Sequence, residues 1–147
     1  MNLASEWPEV NGYRAYVSPQ SVAECFRLCY DAIKAVRPHH KVLSQPMAPW
    51  AGPYGGTPGQ HDPQPLNWVT YLNQMLTAIA NSPPGPHGTG PDGIALHINS
   101  RGYTYADIHS TQKVNAGGQD LYFSFYVYKD WINLGIPPSM WHLPLYA

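Results

Sequence analysis

Charge is scarce in this 147-residue sequence: Lys, Arg, Asp and Glu together make up 12% of it, against 44% hydrophobic residues. The eight basic residues are scattered and the formal charge is −1, so there is no basic stripe and nucleic acid is not an expected partner. Cysteine is scarcer still. Cys25 and Cys29 are the only two, which excludes a disulfide framework, and their i,i+4 spacing on an expected helix orients them poorly for a bridge. They read as two buried thiols. The histidines show no metal-ligand spacing, and His39-His40 lies too far along the same helix to join Cys25, so neither a metal nor another cofactor is expected. No stretch approaches the ~18 apolar residues of a membrane span, so no membrane partner is expected. Met1-Asn-Leu-Ala-Ser-Glu6 has neither the basic nor the apolar region of a signal peptide, and the compartment stays open.

What the chain has instead is 5 Trp, 11 Tyr, 16 Pro and 13 Gly, a composition of structured loops with aromatic rims. Such rims suit uncharged, flat-faced ligands. The length fits one domain, residues 1–147, with a core of its own.

Ser18-Pro19 opens the clearest helix, over 19–36, with Val22, Cys25, Phe26, Cys29, Ile33 and Val36 along one face and Pro38 beyond its end. A second helix, near 66–81, carries Trp68, Leu72, Met75, Leu76 and Ile79 as its apolar stripe. The spacing of Leu121, Phe125, Tyr128 and Ile132 predicts a third over 119–134, stopped by Gly135. Short apolar runs near 41–46, 93–98 and 142–146 read as strands. Helix and strand alternate, which predicts an α/β fold with three parallel strands joined by right-handed crossovers. The first two of these runs finish in ligand-capable residues, Gln45 and then His97 with Asn99, and each opens into a long loop, 48–65 and 99–118. Strand tips with such loops form the binding face of parallel α/β folds.

Three places carry a family resemblance. The opening Met1-Asn-Leu-Ala-Ser-Glu6-Trp7-Pro8 reads like the segment just after an Asn-Glu pair, His97-Ile98-Asn99 matches the first position of a His-x-Tyr strand end, and Ile136-Pro-Pro-Ser-Met-Trp-His-Leu-Pro-Leu-Tyr-Ala147 resembles the approach to a Thr-Glu strand end. In these features and their order the chain resembles the central part, after strand four to strand seven, of a (β/α)8 glycoside hydrolase of the clan that includes cellulases, mannanases and β-galactosidases. The resemblance implies a parent that hydrolyses β-linked glycans, and a partial TIM barrel, about half of one, since a whole barrel takes ~200 residues or more. Exposed sheet edges are then expected to be covered, for instance by homo-oligomerisation. It also implies that both catalytic Glu positions, the general acid and the nucleophile, fall outside this sequence.

Glycosidases need two carboxyl groups, ~5–5.5 Å apart in retaining enzymes and farther apart in inverting ones. Among the nine acidic residues, Glu24, Asp31, Asp120 and Asp130 fall on expected helices as solvated positions, and Asp62, Asp92 and Asp107 sit in turn-like contexts that suit Asx capping. Glu6 is the one candidate for a replacement acid. For binding, Trp50, Trp7 and Tyr103 offer rings on which sugar C–H faces stack, and Gln45, His97 and Asn99 offer hydrogen bonds to hydroxyls, with packing under the Pro/Gly loop the other reading of Trp50 and a buried, backbone-bonded imidazole the other reading of His97. Trp68, Trp131 and Trp141 read as packing residues. Two classes of function follow: a hydrolase-like segment lacking its catalytic pair, or a non-catalytic α/β protein that binds a saccharide or another partner through its aromatic loops.

Overall fold

The computed structural model describes residues 7–50 and 66–147, and within the first hairpin only the backbone of Tyr13 and Arg14. The elements in order are strands β1 (Glu9–Val10) and β2 (Tyr13–Arg14), helices α1 (Pro19–Val36) and α2 (Trp68–Asn81), strand β3 (Ile94–Ala95), helix α3 (Tyr105–Ile108), strands β4 (Lys113–Ala116) and β5 (Gln119–Tyr122), helix α4 (Val127–Asp130) and strand β6 (Leu145–Tyr146). A π-helical turn, Trp131–Gly135, continues α4 directly, and a 3-10 turn, Pro138–Met140, precedes β6.

The two long helices start where side chains satisfy their first N–H groups. Ser18 accepts from Ser21 N at 3.1 Å with Pro19 in the first turn, and Asn67 accepts from Thr70 N at 2.8 Å. Helix α2 is the centre of the molecule. Trp68, Val69, Tyr71, Leu72, Met75, Leu76 and Ile79 are all buried, more than a single stripe, because α1 packs on one side of it and the π-helical turn on another. Tyr71 Oη donates to Val17 O at 2.6 Å, Asn73 Nδ2 donates to Leu134 O at 3.1 Å, and Gly135 lets the turn approach Leu72. Ser82 Oγ takes the Ala78 carbonyl, and Pro83-Pro84 follow the end of the helix.

The expected sheet is corrected. Instead of three parallel strands alternating with three helices in half a barrel, the described residues form three separate two-stranded sheets, of which β3–β6 alone is parallel. Segment 41–46 is reduced to a single parallel bridge, Leu43 to Gly93. Side chains and prolines shorten the ladder: Val42 N donates to Asp92 Oδ2 at 2.8 Å, Ala95 N donates to Ser44 Oγ at 3.3 Å, and Pro46 and Pro144 have no N–H to give. The helix expected over 119–134 is also corrected. Gly117 and Gly118, at φ +61° and +84°, make a two-residue turn that folds β4 back on β5, with Ala116 opposite Gln119 and Lys113 opposite Tyr122. Only 127–135 is helical, and its second half is a π turn in which Ile136 N reaches Trp131 O at 3.0 Å. Asn11 and Gly12 make the corresponding turn between β1 and β2.

Burial brings further corrections. Cys25 and Cys29 are exposed rather than buried. Trp141 is 64% exposed, whereas Trp68 and Trp131 are wholly interior. Asp130 is buried rather than solvated. Glu6, Asp62 and loop 51–65 lie outside the described residues.

Candidate functional site

The residue that organises the site is Trp50. Its backbone sits at φ +62°, a left-handed conformation that costs a bulky residue about 1–2 kcal/mol and persists only where the surroundings hold it. Three contacts do so. The indole Nε1 donates to Tyr122 O at 3.4 Å, the ring meets Phe123 edge-on with centroids 6.0 Å apart, and the Arg101 guanidinium lies 5.8 Å from the Trp50 ring centroid and 4.3 Å from that of Phe123. Three stretches of chain thus converge: the segment that carries Trp50, the segment running from β3 to 101, and the exit of β5.

A second cluster adjoins at Tyr122. Lys113, its cross-strand partner, places its ammonium 4.6 Å from the Tyr122 ring, and Lys129 lies 4.2 Å from the Tyr126 ring and 5.9 Å from that of Tyr122. The two tyrosine rings are 5.7 Å apart. Beneath them the buried Asp130 carboxylate accepts from Tyr122 N at 2.6 Å and fixes the end of β5. Burial pushes the Asp130 carboxyl above its ordinary value, against the pull of the Tyr122 N–H and the nearby Lys113. Among the described residues, Arg101, Lys113 and Lys129 have no carboxylate at ion-pair distance, so the rings are what these three cations contact.

Of the residues singled out from sequence, Trp50 is in this cluster. His97 and Asn99 stand exposed on the segment that delivers Arg101, and Trp131 Nε1 pins that segment by donating to His97 O at 3.0 Å. The others lie elsewhere. Trp7 is interior at 3% exposure, its ring edge-on to Tyr16, Gln45 lines a groove beside α1, and Tyr103 is 96% exposed. No local signal marks Arg101 within loop 99–118, and Lys113, Tyr122, Phe123, Tyr126 and Lys129 are not legible as site residues while 119–134 reads as a helix. The Gly117-Gly118 pair between Lys113-Val-Asn-Ala and Gln119-Asp-Leu-Tyr is the hairpin signal that finds them.

Most of the described carboxylates have structural partners. Glu24 and Asp31 flank Arg27 on α1 at 3.8 and 3.9 Å, Asp120 accepts from Asn115 Nδ2 at 3.0 Å, and Asp107 closes a capping box with Thr104 at the start of α3. The Thr104 hydroxyl and N–H hold the Asp107 carboxyl below its ordinary value. Asp92 pairs with Lys34 at 2.8 Å. Among the described residues none of these carboxylates stands in the Trp50 cluster, and no group of three or more His, Cys, Asp or Glu is placed to hold a metal ion. No helix of the described residues is long and apolar enough to cross a membrane. No family model, curated protein or solved structure matches the chain.

Proposed function

We propose that this chain is a glycoside hydrolase-related protein whose retained function is to bind a β-linked saccharide without cleaving it. The observation that carries this reading is Trp50, held in a strained backbone conformation with its ring against Phe123 and Arg101. An indole fixed in this way is a platform for the C–H face of a pyranose ring, and a guanidinium beside it offers forked N–H donors to ring hydroxyls. Exposed His97 and Asn99, on the segment leading to Arg101, supply further donors and acceptors at the rim. Hydrolysis would need a proton donor and a second carboxylate across the scissile bond. The described carboxylates of the α1, α3, β5 and α4 regions are engaged in caps, ion pairs and backbone anchoring instead.

The test is titration of the purified chain with cello- and manno-oligosaccharides while following tryptophan fluorescence, with parallel assays on aryl β-glycosides. The expected result is saturable binding that Trp50→Ala abolishes and Arg101→Gln weakens, with no turnover. Absence of saturable binding to any β-glycan overturns the reading. Turnover lost in Glu6→Gln would replace it with catalysis.

A further inference from the structure

The sequence encodes an apolar stripe on α1 that the fold does not bury. Of Val22, Cys25, Phe26, Cys29, Ile33 and Val36, only Val22 is interior; Ile33 is 41% and Val36 71% exposed, and both cysteines face solvent. Helix α1 turns other residues inward, among them Ala23, Tyr30 and Lys34. The stripe instead forms one wall of a groove of about 340 Å³ whose other wall is segment 42–45. Among the described residues every side chain lining this groove, from Val17 and Val22 through Phe26 and Cys29 to Leu43 and Gln45, is uncharged.

The same segment presents an open backbone edge. Ser44 N and Val42 O are bonded to the chain at 92–93, and Val42 N is taken by Asp92. Leu43 N, Leu43 O and Gln45 N alternate with these and have no partner among the described residues. An edge of this kind is satisfied by another extended strand, and an apolar groove beside it by apolar side chains.

We infer that a second copy of this chain occupies the face, its own segment 42–45 pairing antiparallel with the first about a twofold axis. Such a pairing makes the edge self-complementary: in an antiparallel ladder the outward N–H and C=O groups of one copy meet those of the other. The uncharged lining brings two copies together without like-charge repulsion and offers a charged partner nothing to pair with. The part of α1 that lines the groove, Ser21 to Ile33, is about 18 Å long and runs beside the open edge, so helix flank and strand edge are offered to the partner copy together. The inference is independent of saccharide binding, since the groove contains no residue of the Trp50 cluster.

Sedimentation equilibrium over a wide concentration series, with wild type and Ile33→Lys, tests it. The wild type is expected to pass from monomer to dimer, and Ile33→Lys to weaken association by about tenfold or more, the effect of an unpaired charge forced into an apolar interface. Circular dichroism serves as the control for an intact helix. Maleimide labelling of Cys25 and Cys29 gives a second readout: it is expected to slow as wild-type concentration rises and to be independent of concentration in Ile33→Lys. A wild type that stays monomeric throughout overturns the inference. So does a dimer whose thiols label at the monomer's rate and which Ile33→Lys leaves intact.

Discussion

The Lys34 ammonium and the Asp92 carboxylate meet at 2.8 Å, and around this pair the end of α1 is tied to the strand region. Lys34 also donates to His40 O at 2.8 Å, and Asp92 accepts from Val42 N at 2.8 Å and from the Tyr30 hydroxyl at 3.4 Å. Three segments that sequence reasoning treats separately are joined by two side chains.

This pair sets a pH dependence on both sides. Burial disfavours the ionised Asp92, but the Lys34 hydrogen bond, the Val42 N–H and the nearby positive charges outweigh it and hold the carboxyl below its ordinary value. Its contribution to stability is therefore present above the unfolded pKa of about 3.9 and is lost as pH falls below that through the folded value. The Asp92 hydrogen bond raises Lys34, so its contribution is present below about 10.4 and is lost as pH rises through the folded value. Thermal unfolding across pH is expected to show a plateau between these limits. Asp92→Asn is expected to lower the plateau and flatten the acid side.

Asp130 has the opposite sign. Its carboxyl is raised by burial, so its ionised form opposes folding, and stability gains as pH falls through the folded value towards the unfolded one. Asp130→Asn keeps an oxygen for Tyr122 N–H and removes the buried charge. The expected outcome is unchanged or higher stability at neutral pH, read by denaturant unfolding. Asp130→Ala, which leaves that N–H unpaired, is expected to cost about 1–3 kcal/mol.

Asn67 joins α2 to the hairpin. It caps the helix through Oδ1, while Nδ2 donates to Ala116 O and Gln119 Oε1, both at 2.9 Å. Asn67→Ala removes a cap and both Nδ2 hydrogen bonds to the hairpin, an expected loss of about 2–3 kcal/mol. Asn67→Ser keeps a capping oxygen and loses the Nδ2 donors without adding a charge, so its loss is expected to be smaller. Chemical denaturation of the two variants side by side checks the order.

Gly90 has φ +44°, and a Cβ there would lie 2.5 Å from the Tyr30 ring. Gly90→Ala combines backbone strain with overpacking and is expected to cost about 2 kcal/mol or more. Thermal unfolding measures it. Tyr30→Leu in the same background, which removes the planar ring at that point, is expected to recover part of the loss.

Local chemistry made the two long helices legible. Ser18-Pro19 and Asn67 are start signals that act within one turn, and Pro38 and Pro83-Pro84 bar continuation, so α1 and α2 follow from neighbouring residues alone. Trp50 is legible as an aromatic at a strand tip, but its partners are not, and the ring packs partly against the core. Leu121, Phe125, Tyr128 and Ile132 fit helical spacing well enough to hide a hairpin whose deciding feature is the positive φ of two glycines.

Tertiary structure decided the rest. Whether 41–46 extends a sheet depends on Asp92 and Ser44, whose side chains take ladder donors that periodicity assigns to backbone. Which side of α1 turns inward depends on α2, a helix apolar on more than one face, and the stripe that sequence marks for burial is left in the open. Sequence specifies what each helix can bury; only the packing of one element on another selects which apolar face is covered, because burial is a property of pairs of surfaces and not of either alone.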